Sequence, residues 1–124
     1  MSHLSKVQVA IKDIDVLREA LKDIGLICIG EVDKDYEFAE SFNQCDVLAV
    51  NEVNRVMGFC FVNGEAELRS NLEPEDFEKV RDKLLQNYAV RLLKKTVAEE
   101  GKFQVQEQET LPDGSIRIKV GRWV

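Results

Sequence analysis

The chain has no surplus of positive charge: 17 Lys and Arg against 23 Asp and Glu leave a net charge of -6. A general nucleic-acid binder needs excess Lys and Arg to meet phosphates, and docking on an anionic membrane surface needs the same, so neither is expected. Paired cysteines are missing too. Cys28, Cys45 and Cys60 are odd in number, none stands in a CxxC, and each lies in an apolar run. That pattern points to reduced, buried thiols in a reducing compartment. The longest apolar run, Val56–Val62, is far too short to span a bilayer. Residues 1–6 lack a basic start followed by an apolar stretch, and position 2 is Ser, so neither a secretory signal nor the myristoylation pattern is read. The expected location is cytoplasmic, or the stroma if the chain is plastid-encoded.

The motifs of common chemistries are missing as well. Gly30, Gly58 and Gly64 form neither GxGxxG nor GxxxxGK[ST], and there is no GxSxG or SxxK. Asp33, Asp35, Glu37 and Glu40 make a carboxylate-rich run. No glycine lies between Glu31 and Met57, so the sharp turn of a calcium loop cannot form there and a solvated loop is expected. His3 is the only histidine. With the three cysteines it gives four soft ligands, the number zinc takes, but their spacing fits no zinc motif. The same residues fall short of a Cys-His catalytic pair, because a nucleophilic thiolate must be exposed and activated. No catalytic residue, metal or cofactor is therefore assigned, and the reading leans away from an enzyme.

What the chain does have is material for a core. At 124 residues and 44% hydrophobic content it can fold as one domain over residues 1–124 without a disulfide or metal staple. Val7, Val9 and Ile11 alternate with Gln8, Ala10 and Lys12, which predicts a strand with one buried face. Asp13 can cap a helix that buries Ile14, Leu17, Leu21 and Ile24 and ends at Gly25. Strands are predicted over residues 26–32, 45–50 and 56–62. Asn63-Gly64 signals a tight turn into a strand over residues 65–69. Residues 33–44 fit a strand through Tyr36 and Phe38, or a helical turn through Phe38, Ala39 and Phe42. Pro74 suits the first turn of a second helix running to about Glu100. Phe103 and Val105 begin one strand of a terminal hairpin, Pro112-Asp113-Gly114 turns it, and Ile116, Ile118 and Val120 form the other. The order β-α-β-β-β-β-α-β-β predicts an α+β fold. Its sheet is mostly antiparallel with two helices, and can hold a ferredoxin-like split βαβ core before the C-terminal hairpin.

Three expectations follow. The strands over residues 26–32, 45–50 and 56–62 are apolar on both faces, so the face away from the two helices must be covered by the segment from Tyr36 to Phe42 or by a second subunit in a homodimer. In the second helix, Phe77, Val80, Leu84 and Tyr88 share a side, while Leu85, Ala89, Leu93 and Val97 step by fours and drift around the axis. Its first half is expected against the sheet and its second against the hairpin. Its Lys79, Arg81, Lys83, Arg91, Lys94 and Lys95, interspersed with carboxylates, read as a solvated face. By alternation, Gln104, Gln106, Gln108, Arg117 and Lys119 share the outward hairpin face with Trp123, an aromatic–basic composition typical of a protein-binding spot. Gln104, Gln106, Arg117, Lys119 and Trp123 are the candidate partner-binding residues.

The opening Met1-Ser2-His3-Leu4-Ser5, with Val7, Ile11, Leu17, Ala20-Leu21 and Asp23-Ile24-Gly25, resembles the start of a family of small proteins of cyanobacteria and algal plastids, the hypothetical chloroplast reading frame thirty-five family. Met57-Gly58-Phe59 and Glu67-Leu68 are similar to its middle. The most specific likeness is Tyr88-Ala89, Gly101, Phe103-Gln104-Val105, Asp113-Gly114-Ser115-Ile116 and Arg122-Trp123. The resemblance implies an intracellular protein of bacterial or plastid lineage with no established enzyme activity, and it supplies no catalytic residues. The favoured reading is a non-catalytic accessory or protein-interaction module. The alternative is a small-molecule-binding protein or enzyme whose pocket lies between the sheet and the Tyr36-to-Phe42 segment, near Cys45 or Cys60.

Overall fold

The computed structural model describes residues 3–100, 103–112 and 115–122, with the side chains of residues 100, 103–107 and 118–122 set aside. In chain order the elements are β1 (Ser5–Val9), α1 (Ile14–Asp23), β2 (Ile27–Ile29), α2 (Ala39–Asn43), β3 (Val47–Val50), β4 (Val56–Val62), β5 (Glu65–Ser70), α3 (Pro74–Glu100), β6 (Phe103–Thr110) and β7 (Ile116–Arg122). The predicted order holds, with one addition: the ambiguous segment becomes α2.

Local chemistry explains most boundaries. The Asp13 carboxylate accepts the Val16 N–H at 3.1 Å and caps α1 as expected. Asn63 and Gly64 both take positive φ, 54° and 79°, which a tight turn between twisted strands requires and this residue pair tolerates. Between β3 and β4, Asn51 Oδ1 accepts the N–H groups of Val53 and Arg55 at 3.1 and 2.9 Å, so its side chain organises that turn.

The sheet runs β1-β5-β4-β3-β2, and every neighbouring pair is antiparallel. β1 and β2 consequently run parallel on opposite edges. The βαβ unit they make with α1 is split by three strands, and the chain returns to β1 along a meander rather than through a second crossover. The α+β class and the antiparallel sheet thus hold, in an arrangement wider than a ferredoxin-like split.

The predicted strand over residues 26–32 shrinks to Ile27–Ile29. Its ends are occupied elsewhere. Leu26 N–H bonds back to Leu21 O at 3.0 Å, while the Asn43 amide accepts Val32 N–H at 2.9 Å and donates to Val32 O at 3.0 Å. A side-chain amide has replaced the ladder partner that strand propensity alone would assign to Val32.

The sheet buries both faces over its β2–β4 half. On the helix side, Leu17, Ala20 and Leu21 of α1 and Leu84 of α3 pack with Phe59 and Leu68 in one core. Full burial of each such large side chain stabilises the fold by roughly 1.5–3 kcal/mol. On the other face, Phe42 is fully buried with Leu48 and Val56, and Tyr36, Phe38, Ile29 and Cys45 pack around them. The chain's own segment is therefore the cover, so this half of the face does not require a second copy. Tyr36 ties the cover down: its hydroxyl donates to Asn54 O at 2.6 Å and accepts from the Asn71 amide at 2.8 Å. Asn71, itself buried, accepts Val56 N–H at 2.8 Å.

Candidate functional site

The face of α3 changes along its length. Phe77, Leu84 and Tyr88 are buried, and at about 100° per residue they stay within about 20° of one direction. Val90 and Val97 are also buried, yet they point about 200–220° from Phe77. The hairpin accounts for this, since β6 and β7 both contact α3. An open groove of about 420 Å³ runs between Gln86, Ala89, Val90 and Leu93 of the helix and Ser115 and Ile116 of the hairpin. Leu93, 39% exposed, stands in it. α3 is thus sandwiched, with the core on one side and the hairpin on the other. The expected division of the helix holds for the hairpin contact, but its second half also meets α1.

That second contact adds polar bonds to the apolar packing. Tyr88 OH accepts the backbone N–H groups of Lys12 and Asp13, each at 3.0 Å, closing the entry to α1. Lys95 Nζ donates to Asp13 Oδ2 at 2.6 Å. This bond, with the Val16 N–H, holds the Asp13 carboxyl below its ordinary range, and the same bond raises Lys95. At the other end of α1, Arg91 grips Asp23 with two nitrogens, Nη2 reaching Oδ1 at 2.8 Å. Asp23 is lowered and Arg91 raised by that pairing. Sequence reasoning read Arg91 and Lys95 as part of a solvated face. They remain partly exposed and also tie α3 to both ends of α1, joining residues 68 and 82 positions apart in sequence.

The hairpin register modifies the alternation reading. Val105 pairs with Val120 but Glu107 pairs with Lys119, so one residue, Gln106, is extra on β6. Such a bulge reverses the parity of everything after it. Glu107 and Glu109, not Gln106 and Gln108, stand opposite Lys119 and Arg117, while Gln108 stands opposite Ile118. Arg117 is 70% exposed, and its Nη1 lies 3.5 Å from Glu109 Oε1. Gln104 pairs with Gly121. The side chains of Gln104, Gln106 and Lys119, and all of Trp123, lie outside the described residues. Sequence reasoning missed the groove-lining Gln86, Val90 and Ile116; the rotating stripe of α3 was the available signal, because residues opposite the core face must meet something else.

The cysteines divide between the two sides of the sheet. Cys28 packs against the core under the helices, and Cys45 against the covering segment. Cys60 Sγ lies 2.9 Å from Cys45 Sγ. The sheet therefore stands between Cys28 and the other two. The interface where a small-molecule pocket was placed as the alternative, between the sheet and residues 36–42, is filled by Phe42, Leu48 and Val56. Among the described residues, no helix is long and apolar enough to cross a membrane.

Fold and groove together define a small α+β protein in which a long helix is packed on both sides and presents an open apolar groove beside a β-hairpin. By sequence the chain belongs to the ycf35 family. It is 31% identical over 99% of its length to an uncharacterised ycf35 protein of Pyropia yezoensis, of which 98% is covered. It is also 30% identical to the ycf35 protein of Cyanophora paradoxa and 26% to that of Guillardia theta, with the same coverage of each chain. No family model matches the chain, and no solved structure matches it.

Proposed function

We propose that this chain is a non-catalytic accessory module that acts by binding another protein at the groove between α3 and the hairpin. The observation that carries this reading is Leu93: a large apolar side chain, partly exposed, set among Ala89, Val90 and Ile116 where a partner's apolar side chain can be desolvated. Arg117 is exposed on the adjacent strand. The sequence candidates Gln104, Gln106, Lys119 and Trp123 are proposed to contact the same partner. The filled interface beneath residues 36–42 supports this reading over a ligand pocket there. The kinship with algal ycf35 proteins supports action in a plastid stroma or in the cytoplasm of a bacterial relative.

The test is partner capture from the native cell extract by immobilised full-length protein, with bound proteins quantified by mass spectrometry. Leu93→Asp and the double change Arg117→Ala with Trp123→Ala are expected to lose the captured partner while the fold stays intact. Val53→Asp, at another exposed apolar side chain in the β3–β4 turn, is expected to retain it. Capture unaffected by Leu93→Asp, or lost equally in Val53→Asp, would overturn the proposal.

A further inference from the structure

Two thiols that the proposed function does not use face each other across neighbouring elements. Cys45 follows α2, its N–H bonded to Phe42 O at 2.9 Å, and precedes β3. Cys60 lies in β4. The Cys60 thiol donates to Cys45 Sγ at 2.9 Å, and the Cys45 thiol donates to Ser41 O at 3.7 Å. A disulfide bond is about 2.05 Å long, so closure requires the sulfurs to move together by only about 0.9 Å. The close approach is built into the backbone. A Cβ on Gly58 would stand 2.7 Å from Cys45 Sγ and 3.0 Å from a Leu48 methyl, so only glycine leaves the Cys45 thiol this position.

Cys60 is buried and Cys45 half-buried, and a cleft reaches Cys60. Cys60 forms part of an open cleft of about 300 Å³ whose walls include Gln8, Val62, Glu65, Glu67 and Arg69. Arg69 bonds to Glu67 at 2.7 Å and to Ser41 O and Gln44 Oε1 at 2.9 and 3.0 Å, which joins the cleft wall to α2. Burial, first, and then the Cys60 hydrogen bond push the Cys45 thiol up to about 12, while the Arg69 charge is the influence that favours its thiolate.

We propose that Cys45 and Cys60 are a dithiol–disulfide couple that exchanges with small external disulfides through this cleft. Cys60 loses its proton as its sulfur attacks one sulfur of the external disulfide; a mixed disulfide forms, the external S–S bond breaks, and the first external group departs as a thiol carrying that proton. Cys45 then attacks the Cys60 sulfur, the S–S bond to the external group breaks, and the second thiol leaves carrying the Cys45 proton. Two electrons pass from the chain to the external disulfide, which ends as two thiols. The new bond ties the exit of α2, and with it the cover over the sheet, directly to β4.

The test equilibrates native full-length protein over graded cystamine–cysteamine mixtures, traps free thiols by acid quench and alkylation, and maps the peptides by mass spectrometry. The expected result is loss of two hydrogen atoms, a Cys45–Cys60 cross-linked peptide, and Cys28 still alkylated. Cys45→Ser is expected to stop at a cysteamine adduct on Cys60, and Gly58→Ala to need a more oxidising mixture for half-closure. The unmodified protein decides the matter even if a variant fails to fold. Both thiols remaining alkylatable across the whole range, a bridge involving Cys28, or adducts that never close to the internal bond would each overturn the proposal.

Discussion

Tyr88 shows how one polar atom can organise a remote stretch of backbone. Its ring lies in the core, but its hydroxyl accepts two N–H groups, from Lys12 and Asp13, at the start of α1. Tyr88→Phe keeps the ring and strands both donors in a partly buried site. The expected loss is about 1–2 kcal/mol, read as a lower urea midpoint with an unchanged slope. That Tyr88 belongs on the apolar side of α3 was legible from its spacing with Phe77 and Leu84. Its hydroxyl's task was not, because the partners lie 76 and 75 residues away. Asn71 is a similar case: nothing local shows that one buried amide serves both Val56 N–H and the Tyr36 hydroxyl.

At the scale of elements, the packing of α1 on α3 is both apolar and charged, and only the apolar part was legible. Asp23 is held below its ordinary range by Arg91. The stability from this pairing is therefore fully present above the carboxyl's unfolded value, about 3.9, and is lost as pH falls through the lower folded value. The Asp13–Lys95 pairing has the same sign on the Asp13 side. Urea midpoints are expected to fall between pH 5 and pH 2, estimated as roughly the window in which carboxylates titrate. Asp23→Asn is expected to flatten part of that fall. Because both groups are substantially exposed, the Arg91–Asp23 contribution is no more than about 1 kcal/mol. A pH profile for Asp23→Asn that parallels the parent chain would refute this account. The shortening of β2 and the bulge at Gln106 also belong to this scale. Alternation marks which residues can share a face, but not where a side-chain amide or an extra residue interrupts the ladder.

At the scale of the molecule, the layers run from the covering segment through the sheet and the two long helices to the hairpin. Val90 is the sharpest probe of the last junction, being buried on the side of α3 away from the core. Val90→Asp is expected to bury a charge on that side of α3, at about 2–4 kcal/mol against the docked hairpin. In hydrogen exchange, amides of β6 and β7 should lose protection while those of β3 and β4 keep it. Equal loss in both regions would mean that the hairpin and core are one cooperative unit. The same change distorts the wall of the groove, so partner capture should weaken with it.

The sequence by itself determined the elements: alternation made the strands, Asp13 and Pro74 began the long helices, Asn63-Gly64 made the tight turn, and the composition made an α+β core. Those features depend on neighbours within one or two turns of chain, which is the range over which spacing and backbone preference act. The tertiary structure alone decided what those elements face. It set Cys45 against Cys60, put Arg91 and Lys95 on the ends of α1, laid residues 33–44 over the sheet, and opened the groove at Leu93. Each of these depends on the register between segments far apart in sequence, and register comes from the simultaneous packing of all the layers.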